Sequence, residues 1–278
     1  MLLPAVKIIR PGNFLIIIIA GILGTVISNG SFENTGIFNA LVIAFSAAFI
    51  GAAGNVINDI IDIEIDKINR PSRPLPSGLL SLKFAKIFFF VLSAAGITLS
   101  AFTSYTGFFI AVLSYFIIVI YSLKLKRIPL TGNITVAFFT GLIFIYACST
   151  TGNYSAGIMP FIFAFLTNFM REILKDIEDI EGDTAKGVIT FPSKAGIKTA
   201  ITVIKSLGVL LILSTFVAFY LEIYKIEFFV ACCVIVNPLI FYFMNRLKSG
   251  IDLIEIKKLS SLLKLIMILG LFSIFLGI

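Results

Sequence analysis

The chain has 278 residues, 59% of them apolar and 13% charged, with a mean hydropathy of +1.07. Soluble domains carry about 25% charged residues, so an ordinary globular protein is excluded. A disordered chain is excluded too, because 29 Phe and long Ile/Leu runs cannot stay solvated. No short alternating segments mark a transmembrane β-barrel.

The first apolar run follows Lys7 and Arg10. It is long and lacks a small-residue cleavage pattern before Gly30, so a membrane helix is expected rather than a removable signal peptide. Nine spans are predicted, at about 13–30, 37–58, 85–103, 106–123, 133–151, 156–175, 199–221, 226–245 and 259–277. Each is long enough to cross about 30 Å of hydrocarbon. The fold class is all-α: a polytopic membrane protein with nine transmembrane helices. The connections at 59–84 and 176–198 are long and charged; the outer ones are short.

Of the 22 Lys and Arg, 21 fall on the side of the N-terminus, with Lys225 opposite. Twelve of the 15 acids share that side; Glu33, Glu222 and Glu227 do not. This asymmetry predicts a cytoplasmic N-terminus and charged loops, an outside C-terminus, and location in the cell membrane. No charged residue is expected in the middle of a span.

Cys148, Cys232 and Cys233 lie inside apolar runs, so neither a disulfide framework nor a zinc site is expected. There is no His. The commonest general base and transition-metal ligand are therefore missing.

The chain repeats itself weakly. Gly12-Asn13 opens the first span and Gly132-Asn133 the fifth. Asp59, Asp62 and Asp66 end the second span; Asp176, Asp179 and Asp183 end the sixth with the same spacing. Pro76-Ser77 recurs as Pro192-Ser193. One domain over 1–278 is predicted, with parallel half-repeats at about 10–127 and 130–248 and a ninth helix at about 259–277.

On a continuous helix, Asn55, Asn58, Asp59, Asp62 and Asp66 share one face. Glu172, Asp176, Asp179 and Asp183 share another stripe, with Asn168 and Lys175 beside it. Carboxylates stacked one turn apart repel, so a cation should offset them. Oxygen ligands without His or placed Cys point to Mg²⁺, which favours one or two carboxylates with water and substrate phosphates. Solvated helix ends neutralised by nearby Lys and Arg would explain a single cluster; two with matching spacing favour the metal. Arg70, Arg73, Lys124, Lys126 and Arg171 suit phosphate binding, whereas Lys83, Lys86, Lys257, Lys258 and Lys264 read as the positive-inside signal or lipid contacts.

Three elements carry a family resemblance: Asn58-Asp59-Ile-Ile-Asp62-Ile-Glu-Ile-Asp66 with Arg70-Pro-Ser-Arg73-Pro-Leu-Pro-Ser-Gly78; Tyr121-Ser-Leu-Lys124-Leu-Lys126-Arg127; and Lys175-Asp176-Ile-Glu-Asp179-Ile-Glu-Gly182-Asp183. Over essentially its whole length the chain resembles the UbiA superfamily of intramembrane prenyltransferases. The resemblance implies helices around a central cavity, Mg²⁺ as cofactor and an isoprenyl diphosphate donor. It implies Asn58, Asp62, Asp66, Asp176 and Asp179 as metal ligands, with Asp59 and Asp183 joining them as catalytic acids. Lys67, Arg70, Arg73, Tyr121, Lys124, Lys126, Arg171 and Lys175 would bind diphosphate or phosphate, and Asn13, Asn55, Asn133 and Asn168 would be polar groups of the cavity. The second motif resembles the archaeal branch that joins geranylgeranyl diphosphate to geranylgeranylglyceryl phosphate, a phosphorylated prenyl-glycerol lipid acceptor. Arg70 and Arg73 stand three apart rather than four, unlike the quinone branch. Aromatic quinone precursors and chlorins stay open as acceptors. An ion-coupled transporter is the rival class, and its polar path should run deeper into the membrane.

Overall fold

The computed structural model describes residues 2–185 and 187–278, apart from the side chains of Leu2 and Arg127. The described residues form helices and turns without strands. Nine helices among them are long and apolar enough to span a membrane: Pro11–Asn29, Ile37–Ile61, Leu82–Ser100, Tyr105–Leu123, Thr131–Cys148, Tyr154–Glu178, Ile197–Tyr220, Ile226–Arg246 and Leu253–Leu276. The nine-span expectation is met, and the chain is a multi-pass membrane protein. Phe90, Phe109, Val234 and Phe241 are among the many large apolar side chains exposed on these helices. In water that would be unfavourable; in lipid it is the apolar solvent contact a span needs.

In chain order the helices that matter below are α1 (Leu2–Ile8), α2 (Pro11–Asn29), α3 (Ile37–Ile61), α4 (Ile63–Asn69), α5 (Leu82–Ser100), α6 (Tyr105–Leu123), α7 (Thr131–Cys148), α8 (Tyr154–Glu178), α9 (Ile180–Ala185), α10 (Phe191–Ala195) and α11 (Ile197–Tyr220). The eighth span contains a π turn over Cys232–Val236. Pro238 explains it: proline has no N–H to give the Val234 carbonyl, so the ladder loosens there.

Two compact units are present. One comprises 1–127, 143–157 and 181–188; the other 128–142, 158–180 and 189–278. The first is built around α3. A Cβ added at Gly21 would meet the Ala44 backbone at 2.8 Å, so α2 and α3 approach backbone to backbone. Ser46 Oγ donates to the Gly96 carbonyl at 2.8 Å, tying α3 to α5. Small residues give membrane helices this closeness where no hydrophobic driving force exists between them. At the charged end of α3, Ile8, Val56, Leu75, Leu80 and Phe89 form an apolar cluster.

The second unit contains most of α8, in which Pro160 sits near the first turn, and α11. Lys205 corrects the expectation of charge-free span interiors: it lies on α11, half-buried, two turns past the helix start. Its long stem lets the ammonium reach toward the nearer interface.

Candidate active site

The first aspartate motif departs from the single continuous helix expected of it. α3 stops at Ile61, Asp62 takes φ −91° and ψ 9°, and α4 starts at Ile63. The backbone ladder survives the break: Asp62 N–H reaches the Asn58 carbonyl at 2.9 Å, and Asp66 N–H the Asp62 carbonyl at 2.8 Å. The Asp62 side chain makes no cap bond to this backbone; it is committed to Lys126. The second motif breaks the same way. α8 ends at Glu178, Asp179 N–H bonds the Lys175 carbonyl at 2.9 Å, and α9 follows. Both preceding helices have 25 residues.

Asp59, Asp62 and Asp66 are 2%, 4% and 4% exposed, and each has a basic partner. Arg10 Nη2 donates to Asp59 Oδ1 at 2.7 Å. Arg73 Nη1 bridges Asp59 Oδ1 at 3.1 Å and Asp66 Oδ2 at 2.5 Å. Lys126 Nζ pairs with Asp62 Oδ2. Burial holds the Asp66 carboxyl above the usual carboxylate range; Arg73 opposes this, and the Asp59 and Asp62 charges add to it.

The loop that delivers Arg73 is held by its own turns. Arg73 N–H bonds the Arg70 carbonyl, Ser77 N–H the Arg73 carbonyl and Leu80 N–H the Pro74 carbonyl, each at 3.0 Å. Leu75 and Leu80, 8% and 5% exposed, anchor it in the apolar cluster. Arg70 caps α4 through its backbone N–H on the Asp66 carbonyl at 2.8 Å.

Asn55 donates to the Ile9 carbonyl at 3.2 Å, so it fixes the α1–α2 corner to α3. Lys67 is not brought to the acids: it pairs with Glu64 on the surface at 2.6 Å. Tyr121 is half-buried at the end of α6, Lys124 is exposed beyond it, and Asn13 is half-buried on α2. The side chain of Arg127, third basic residue of that element, lies outside the described residues.

In the second unit, Asn133 Nδ2 donates to Asp176 Oδ2 at 2.9 Å. Arg171 and Glu172, each 8% exposed, pair at 3.1 Å, and Lys175 adds a bond to Glu172 at 2.6 Å. Asn168 donates to Thr140 at 2.9 Å. Asp179 is half-buried. Asp183 is 8% exposed and belongs, with Gly182, to the first unit. A Cβ added at Gly182 would land on the Asn69 side-chain amide, so α9 seats against the end of α4 only because residue 182 is glycine.

Sequence reasoning missed Arg10 as a site residue. Its charge was visible, but its left-handed backbone at φ 57°, which turns the chain from α1 into α2, was not.

Among the described residues, no three carboxylate or thiol side chains gather closely enough to hold a metal by themselves. The donor set still fits Mg²⁺. Its groups are all oxygens, and the buried Asn58 Oδ1 has no hydrogen-bond partner among the described residues. An ion that keeps waters and phosphate oxygens needs only one or two protein carboxylates.

The UbiA prenyltransferase family profile matches residues 14–276. The chain is similar to the digeranylgeranylglyceryl phosphate synthase of Thermococcus kodakarensis, with 41% identity over 219 residues, 78% of this chain and 76% of the relative. A solved digeranylgeranylglyceryl phosphate synthase structure is similar at 35% identity and a TM-score of 0.77, over 99% of this chain and 98% of that one. A UbiA homologue from Archaeoglobus fulgidus, bound to GPP and Mg²⁺, shares the fold at 18% identity and a TM-score of 0.65, over 98% and 99% of the two chains. With a profile match from the first span to the last, this chain belongs to the UbiA prenyltransferase family.

Proposed function

We propose that the protein transfers a geranylgeranyl group from geranylgeranyl diphosphate to the free hydroxyl of geranylgeranylglyceryl phosphate, forming an ether of archaeal membrane lipid. The observation that carries this is the buried set of Asp59, Asp62 and Asp66 with Arg10, Arg73 and Lys126, at the end of an apolar helix bundle. Such a set recognises a phosphorylated headgroup while the spans solvate a prenyl tail. The synthase names of the 41% and 35% identical relatives support the acceptor. The Mg²⁺ and GPP of the Archaeoglobus homologue support the cofactor and donor class.

Asn58, Asp62, Asp66, Asp176 and Asp179 would hold Mg²⁺, which when bound supplies charge neutralisation at the leaving diphosphate. Arg70, Arg73, Lys124, Lys126, Arg171 and Lys175 hold phosphate oxygens, with Arg as a bidentate donor and Lys as a point charge. Diphosphate oxygens then replace carboxylates as partners of Arg73 and Lys126. As the allylic carbon–oxygen bond breaks, its electron pair leaves with the diphosphate. The acceptor oxygen forms the new carbon–oxygen bond, and its proton passes to the diphosphate or an uncoordinated carboxylate. Apolar span residues exclude water, which strengthens each charged contact and protects the carbocation.

The basic asymmetry supports a cytoplasmic site in the cell membrane, with the C-terminus outside. A cysteine at Ser72 in a cysteine-free background should label from the cytoplasmic side; labelling only from outside overturns the orientation. Lys186, the matching position after the second motif, lies outside the described residues. The acceptor test is an assay with labelled geranylgeranyl diphosphate and three acceptors: geranylgeranylglyceryl phosphate, its dephosphorylated form and 4-hydroxybenzoate. Prenylation of the glycerol phosphate alone is expected. Prenylation of the aromatic acid alone overturns the acceptor but not the family. Equal reaction of the dephosphorylated lipid overturns recognition of a second phosphate.

A further inference from the structure

α3 and α6 pack against each other and both run toward the charged end of the first unit. Their register has a constant offset. A Cβ added at Gly54 would meet Ile118 Cγ2 at 2.7 Å. Eight residues on in each chain segment, just past both helix ends, Asp62 pairs with Lys126. Midway between these contacts, the same offset sets Ser122 at the level of Asn58.

Ser122 is 2% exposed, and among the described residues its Oγ has no hydrogen-bond partner. Other buried or half-buried helix serines have partners, either across helices, as Ser46 does on the Gly96 carbonyl, or within their own helix. Ser114, on the same helix, donates to the Ile110 carbonyl at 2.6 Å, Ser93 to Phe89 at 2.7 Å and Ser273 to Leu269 at 2.9 Å. Ser122 makes no such bond. A buried polar group left unmatched costs about 1–3 kcal/mol, so alanine would be the more stable choice there. Retaining a hydroxyl against that cost is the pattern of a residue with a ligand.

We propose that Ser122 hydrogen-bonds the acceptor's reacting hydroxyl; this rests on the alcohol-acceptor reading above. Depth selects this ligand. The phosphate-binding cation Lys126 lies just past the end of α6, toward the charged end, and the apolar Gly54–Ile118 contact about one helical turn, ~5.4 Å, the other way. The allylic carbon is one ester oxygen from phosphorus, so the attacking hydroxyl belongs at this intermediate level. A serine hydroxyl both donates and accepts, so it orients an alcohol oxygen toward the carbon while leaving a lone pair free to attack.

The test is steady-state kinetics of full-length Ser122→Ala with geranylgeranyl diphosphate and geranylgeranylglyceryl phosphate, together with its thermal unfolding. KM for the acceptor should rise about tenfold, the worth of one hydrogen bond, while KM for the donor stays within about twofold. The melting temperature should hold or rise. An unchanged acceptor KM overturns the proposal. So does a fall in melting temperature with both constants moving together, which marks a structural hydroxyl. If the glycerol phosphate is inert and another acceptor reacts, the acceptor reading fails on its own, and the same KM split with that acceptor decides Ser122.

Discussion

Arg10 reaches across 49 residues to donate to Asp59 at 2.7 Å, and it does so from a left-handed backbone, φ 57°. The second motif has a counterpart. Asn133 donates to Asp176 at 2.9 Å, and Leu130, just before α7, also has a left-handed backbone at φ 64°. In each motif the leading aspartate tethers the start of an earlier span. Asp59 is thereby a charge that sets helix position as well as part of the acidic group.

Arg10 can be dissected by two substitutions. Arg10→Gly loses the ion pair but tolerates the backbone, whereas Arg10→Ala also carries the left-handed strain of about 1 kcal/mol. Both should lower stability by about 1–3 kcal/mol, because Asp59 is left buried with Arg73 as a partner, and the glycine variant should be the more stable. Thermal unfolding in detergent checks the order. Equal stability of the glycine variant and the parent would remove the tether.

Asp62→Ala, Asp66→Ala, Asp176→Ala and Asp179→Ala should each reduce Mg²⁺-dependent turnover by roughly two orders of magnitude or more. The helical fold should persist, as read by circular dichroism. Near-normal activity in all four variants would end the assignment of the two motifs to metal and diphosphate.

Gly182→Ala should reduce turnover at least about tenfold, since its methyl would occupy the space of the Asn69 amide. Adding Asn69→Ala removes the three clashing atoms. The double variant should recover activity relative to Gly182→Ala alone. Full activity in the single variant would show that α9 does not need this seat.

Leu75→Ala should destabilise by about 2–4 kcal/mol, the usual cost of a buried leucine. Because Leu75 anchors the turn that carries Arg73, the KM for the donor should rise as well. A stability loss without any kinetic effect would separate the loop from the site.

The nine spans, the all-α fold and the family were legible in the sequence. Hydropathy, charge asymmetry and residue spacing are local quantities, and a membrane leaves the backbone little choice but helix. Two local features were misjudged: the helix breaks at Asp62 and Asp179, and Lys205 inside α11. The pairings depended on tertiary structure. Arg10 meets Asp59, Lys126 meets Asp62 and Asn55 holds the Ile9 carbonyl because of helix register and a left-handed corner, over separations of 49, 64 and 46 residues. Lys67 reads like Arg73 in the sequence, yet it turns outward to Glu64 while Arg73 bridges two buried carboxylates. The difference is the anchored loop: Leu75 and Leu80 bury themselves and carry Arg73 inward, a consequence of packing that no local pattern encodes.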